Sequence, residues 1–101
     1  MVKFIRSVQF KGGAQQEVVQ WAKDIADYVN RAVRPAGPLQ VFVEVFGAAG
    51  TIHWIGDFQD LATLERAINQ LGEDHEYLAL VRADIEKVVA GSLRDKVLRS
   101  V

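Results

Sequence analysis

The chain contains no cysteine, which removes disulfides, thiolate nucleophiles, zinc–thiolate sites and iron–sulfur clusters at once. It also lacks an excess of either charge. Twelve Lys and Arg stand against 13 Asp and Glu, a formal net charge of −1, and no basic run is long enough to attract a phosphate backbone. Nucleic acid is therefore not an expected partner. No apolar stretch approaches the roughly 20 residues a membrane span needs, and Met1 to Arg6 has no apolar signal-peptide core, so a cytoplasmic protein without a membrane partner is expected. The two histidines, His53 and His75, do not form a His-x-x-x-His or His-Glu-x-x-His spacing, and no Gly-x-Gly-x-x-Gly or phosphate-loop Lys-Ser/Thr pair occurs. The expectation is a protein with neither metal nor cofactor.

What the chain does contain is the balance of an ordinary globular domain: half its residues are hydrophobic and a quarter charged, over 101 positions that leave room for one domain, 1–101. Val2, Phe4, Val8 and Phe10 alternate with Lys3, Ser7 and Gln9, which predicts a half-buried strand over about residues 2–10, with Arg6 on its apolar side. Gly12-Gly13 breaks the chain. Val18, Ala22, Ile25, Val29 and Ala32 then recur at helical spacing, and Pro35 ends that helix near Val33. Leu39, Val41, Val43 and Val45 alternate in a second strand, Gly47 to Gly50 forms a hairpin loop, and a third strand runs from about Thr51 to Asp57. Asp60 and Asp74 can cap two helices, the first with Leu61, Leu64, Ile68 and Leu71 on one face and Gly72 at its end, the second with Leu78, Val81, Ile85 and Val88. Leu93, Val97 and Val101 suggest a last strand.

Strand, helix, hairpin, helix pair, strand is the order of an α+β, ferredoxin-like βαββαβ unit, in which a four-stranded antiparallel sheet carries its helices on one face. The open face would then hold Ile5, Phe42, Phe46 and Ile55, an apolar patch a monomer seldom leaves bare. A homodimer through this face is expected.

The segment Gly50-Thr51-Ile52-His53-Trp54-Ile55-Gly56-Asp57-Phe58, followed by Asp60-Leu61-Ala62-Thr63-Leu64-Glu65 and Leu71-Gly72-Glu73-Asp74-His75-Glu76-Tyr77, resembles the dimeric α+β barrel superfamily, and within it NIPSNAP-type and monooxygenase-like small proteins. The resemblance implies a dimeric α+β barrel. Members of the superfamily include cofactor-free monooxygenases of aromatic polyketides, haem-degrading enzymes, lactone isomerases, polyketide cyclases and proteins of no known activity, so fold alone chooses no reaction. Haem-degrading relatives use an Asn, a Trp and a His; Trp54 and His75 supply two of these residue types, but the first strand offers only Arg6, Ser7 and Gln9 where the Asn would stand.

Hairpin parity gives the sharpest chemical expectation. A loop of four or of two residues puts Val43 opposite Trp54 on one face, and Glu44 directly across from His53 on the other, with Phe42 beside Ile55. A carboxylate orienting an imidazole between apolar walls is a general-base arrangement, so Glu44 and His53 are the candidate catalytic residues, with Phe42 and Phe46 as candidate substrate contacts. The simpler alternative is a cross-strand polar pair at a dimer interface, contributing about 0.2–1 kcal/mol. On the opposite face Arg6 must reach solvent, a carboxylate or an anionic ligand, and with Trp54 it would line any pocket between sheet and helices. Two functions remain in view: a cofactor-independent oxygenase, isomerase or cyclase acting on an apolar or aromatic molecule, or a non-catalytic dimeric binding protein.

Overall fold

A computed structural model describes residues 1–101 and contains four strands and three α-helices: β1 (Val2–Gln9), α1 (Gln15–Val33), β2 (Gly37–Val43), β3 (Thr51–Phe58), α2 (Leu61–Gly72), α3 (His75–Arg82) and β4 (Arg94–Arg99). The strands pair antiparallel in the order β2-β3-β1-β4. This is the ferredoxin-like α+β arrangement, and the βαβ crossovers place all helices on one face. No helix is long and apolar enough to cross a membrane.

Local chemistry accounts for the element ends. Arg34 adopts a left-handed φ of 46° immediately before Pro35, so α1 stops where the proline ring would clash with a further turn. Asp60 accepts from the backbone N–H of Thr63 and Asp74 from that of Tyr77, each satisfying a donor that the first helical turn leaves open. The apolar stripe of α1, namely Val18, Trp21, Ala22, Ile25, Ala26 and Val29, is buried against Val2, Phe4, Val8, Ile52, Trp54 and Phe58 of the sheet. At its centre Trp21 and Trp54 meet edge to face, ring centroids 5.8 Å apart. Their indole N–H groups donate to the carbonyls of Leu80 and Ala22, at 3.0 and 2.9 Å.

Two expectations are corrected in detail. The stripe Leu78, Val81, Ile85, Val88 is not one helix: α3 ends at Arg82, a 3-10 turn spans Ile85–Lys87, and Val88 bridges to Phe10. Backbone bonds from Val89 N–H to the Gln9 carbonyl and from Lys11 N–H to that of Lys87 draw this segment onto the end of β1, at the expense of further helix. The second correction concerns the hairpin. β2 ends at Val43, which pairs with Ile52, and residues 44–50 form the loop. The expected parity holds, with Val41 beside Trp54 on the helix side, but the register is two residues away from the one expected. Phe42 lies directly opposite His53, and Glu44 stands across from Thr51, donating its N–H to the Thr51 carbonyl. Phe46 therefore sits in the loop and not on the sheet, 94% exposed. The Glu44 carboxylate accepts the Ala48 N–H and folds the loop back early, with Gly47 and Gly50 supplying positive φ angles of 117° and 78°.

Candidate functional site

The two faces of the sheet carry two different sites. Between sheet and helices the packing leaves a cavity of about 260 Å³ lined by 18 residues, of which 16 are hydrophobic. Trp21, Ile25 and Val29 of α1, Phe4 and Trp54 of the sheet, and Leu64 and Ala67 of α2 form its body. Its rim includes Ile68, Ile85 and Leu93, which are 42%, 48% and 50% exposed, so the chamber opens to solvent past aliphatic side chains beside β4. β4 itself is an edge strand exposed at all six positions, and no helix closes over it.

Arg6 is the one charged residue on this wall. Antiparallel pairing of β1 with β4 sets Asp95 beside it, and the carboxylate takes both Nε and Nη2 of the guanidinium at 2.8 Å in a bidentate pair. This pairing holds the guanidinium pKa above its ordinary value against the opposite pull of burial, with Tyr77 adding smaller contributions in the same direction. The guanidinium also lies 5.5 Å from the ring centroid of Phe4. Of the three destinations open to Arg6 in the sequence, the structure selects the carboxylate. Asp95 is the only acid in β4, and the antiparallel register was the missing step to it.

The opposite face carries Ile5, Ser7, Phe42, His53, Ile55 and Leu98. Here His53 Nε2 lies 2.8 Å from Glu44 Oε1, and His53 Nδ1 lies 2.6 Å from Ser7 Oγ. A carboxylate only accepts, so in the neutral ring Nε2 carries the proton toward Glu44 and Nδ1 accepts from the Ser7 hydroxyl. The two-residue register shift thus leaves the Glu44–His53 contact intact, made along a diagonal. Ser7, cross-strand neighbour of His53, was not singled out in the sequence, although it shares the parity of Ile5 on this face. The chain Ser7–His53–Glu44 can move a proton, but β1 is hydrogen-bonded along both edges, which commits its backbone N–H groups and leaves no oxyanion hole beside Ser7. Thr51, next to Glu44 across the hairpin, buries its Oγ1 without a hydrogen-bond partner.

The candidate residues therefore separate. Arg6 and Trp54 line the interior cavity, Glu44, His53 and Phe42 lie on the open face, and Phe46 is in the hairpin loop. His75 begins α3 in an exposed position, and no group of three or more His, Asp or Glu side chains is gathered in a way that could hold a metal ion.

Solved structures share this architecture. A NIPSNAP family protein of unknown function from Agrobacterium tumefaciens superposes with a TM-score of 0.82 at 18% identity, over 99% of this chain and 87% of that one. An uncharacterised NIPSNAP-like domain protein from Burkholderia xenovorans gives 0.80 at 19% identity, over 99% and 84% of the two chains. An antibiotic biosynthesis monooxygenase gives 0.74 at 17% identity, over 100% and 99%. At these identities the likeness establishes the fold and leaves the reaction open. No protein of curated function matches the sequence. The sequence does match a family-wide pattern over residues 2–99, nearly its whole length, and the chain accordingly belongs to the family of unknown function DUF6039.

Proposed function

We propose that this protein is a cytoplasmic homodimer that binds a small apolar or aromatic molecule in the cavity between its sheet and its helices. The observation that carries the reading is the cavity itself: an apolar chamber of about 260 Å³ inside a 101-residue chain, with one charged residue, Arg6, at its wall and an apolar mouth. Close packing is the rule in protein interiors, and a void of this size forfeits dispersion contacts unless something fills it. Pockets that hold small ligands have this composition, mostly hydrophobic with few polar groups. The homodimer is supported by the open face, where Phe42 and Leu98 are 46% and 50% exposed beside Ile5 and Ile55. The fold shared with an antibiotic biosynthesis monooxygenase supports extending the reading to a cofactor-independent oxygenase, isomerase or cyclase whose substrate occupies the same chamber.

A thermal-shift screen against small aromatic and alicyclic compounds tests it, because a ligand that binds only the folded state raises the melting temperature. Ala67 lines the cavity, and Ala67→Phe should fill it and abolish the shift. If no compound in a broad panel stabilises the wild-type protein, the reading fails.

A second reading is favoured by the Ser7–His53–Glu44 chain: acid–base catalysis on the open sheet face, with Phe42 as one wall and a second copy of the chain as the other. Here His53 would take a proton from the bound molecule and Glu44 would orient the ring and stabilise its charge. On a substrate found by screening, His53→Ala should then lower turnover about 100-fold or more; unchanged turnover returns the pair to a structural role.

A further inference from the structure

Inside the cavity, almost every polar atom is already committed. The indole N–H of Trp21 donates to the Leu80 carbonyl and that of Trp54 to the Ala22 carbonyl. Arg6 gives Nε and Nη2 to Asp95. Asp95 is not part of the cavity wall and Arg6 is; the carboxylate grips the Nε–Nη2 edge of the guanidinium and leaves Nη1 out of the pair. Tyr77 is the other lining residue with a polar tip. Unlike Tyr28, whose hydroxyl donates to Asp74, Tyr77 has no carboxylate or carbonyl accepting from its hydroxyl. Its ring is packed against the core, and it lines the same cavity as Arg6.

We infer that Arg6 and Tyr77 form an oxygen clamp: two donors converging on a carbonyl oxygen carried by an apolar, roughly bicyclic ligand. The inference rests on the cavity-binding reading above and names the ligand class for that site. Arg6 has no acceptor atom and Tyr77 has a free O–H, so the matching ligand atom is an acceptor. Asp95 cancels the charge of Arg6, which suits a neutral ketone or enone oxygen. Size follows from volume: an apolar cavity of about 150 Å³ takes a benzene ring, and the chamber of about 260 Å³ matches two fused rings. Asp95 acts as a positioning residue, fixing the plane of the guanidinium so that Nη1 is presented without loss of rotamer freedom at binding.

The chain has only two tryptophans and both line the cavity, so their indole N–H resonances in an 15N-labelled sample report occupancy directly. Titration with acetylnaphthalene, and with isopropenylnaphthalene, in which a methylene replaces the carbonyl oxygen, isolates the contribution of that one atom. The wild-type protein should bind the ketone about tenfold more tightly than the hydrocarbon. Tyr77→Phe and Arg6→Met should each reduce that preference while the affinity for the hydrocarbon stays within about twofold. Tyr77→Phe removes a single oxygen, so it remains informative if Arg6→Met fails to fold. Equal affinity of the wild-type protein for both compounds, or a preference that survives Tyr77→Phe, overturns the clamp and leaves the cavity reading standing. Failure of both compounds to move either indole resonance overturns the clamp, and the cavity reading falls with it only if the broad thermal-shift panel also leaves the melting temperature unchanged.

Discussion

Gly56 shows how closely individual residues on the helix side of the sheet are tied to the cavity. It lies in β3 opposite Phe4, and on its other side the pairing of β2 is irregular: Gly37 pairs with Asp57 and Gln40 with Ile55, so Pro38 and Leu39 together oppose Gly56. Such a bulge bends the strand and re-aims its side chains, here bringing Leu39 over the glycine and into the cavity wall. A Cβ at position 56 would stand 2.8 Å from Leu39 Cδ1 and 3.3 Å from both Leu39 Cα and the Gly37 carbonyl oxygen. The methyl group can swing away but the backbone cannot. Gly56→Ala should therefore destabilise the fold by about 1–3 kcal/mol, read as a lower urea midpoint with an unchanged slope. An unchanged midpoint would show that the bulge relaxes freely. Arg6 makes the complementary point about legibility. That an arginine on the apolar side of a strand needs a partner is evident in the sequence, but its partner Asp95 is 89 positions away and only the β1–β4 register brings them together.

Between elements, α1 is joined to the α3 region by the Trp21–Leu80 hydrogen bond and by a second polar link whose strength depends on pH. The Tyr28 hydroxyl donates to Asp74 Oδ2 at 2.6 Å, and the same carboxylate caps α3 through the Tyr77 N–H. Donation from Tyr28, and secondarily from the backbone, holds the Asp74 carboxyl below its ordinary value of 3.8. Asp74 in turn pushes the Tyr28 hydroxyl up to about 12 from 10.0. The signs differ. A depressed carboxyl contributes stability that is present above its unfolded pKa and is lost as pH falls through the folded one; a raised phenol contributes stability that is present below its unfolded pKa and is lost as pH rises through the folded one. The link is thus fully in place from about pH 4 to pH 10 and weakens outside that window at both ends. Tyr28→Phe should lower stability within the window, and its difference from the wild type should shrink between pH 10 and 12 and again below about pH 4, as followed by denaturant titration across pH. A difference that stayed constant across both ranges would show that the link is coupled to neither ionisation. Both helix starts were legible at Asp60 and Asp74 because a capping aspartate acts within one turn of its own chain. The end of α3 was not, because the N–H of Val89 is claimed by a carbonyl of β1, a competitor that local spacing does not reveal.

For the whole molecule the governing asymmetry is that one sheet face is covered and the other is not. If the open face joins two copies, as proposed, a charge placed there should separate them without disturbing the cavity on the other side. Phe42 is directly opposite His53 on that face, and Phe42→Glu should convert a sedimenting dimer into a folded monomer whose cavity still takes up ligand. A wild-type protein that sediments as a stable monomer at micromolar concentration would remove the dimer. What the sequence by itself determined here is everything carried by short-range periodicity: the order of elements, the helix caps, the two faces of each strand, and the placement of Glu44 and His53 on one face and of Arg6 and Trp54 on the other. Those features follow from spacings of two and of three to four residues, which any window of the chain exhibits. Only the tertiary structure decided the register of the hairpin, the pairing of Arg6 with Asp95, the joining of Ser7 to His53, and the cavity that Tyr77 and Trp54 share. Each of these depends on how far one strand slides along another, or on the volume left between layers. Parity survives a slide of two residues unchanged, so the sequence pattern is blind to it, while an unfilled volume belongs to no residue and appears only when all the elements that bound it are in place.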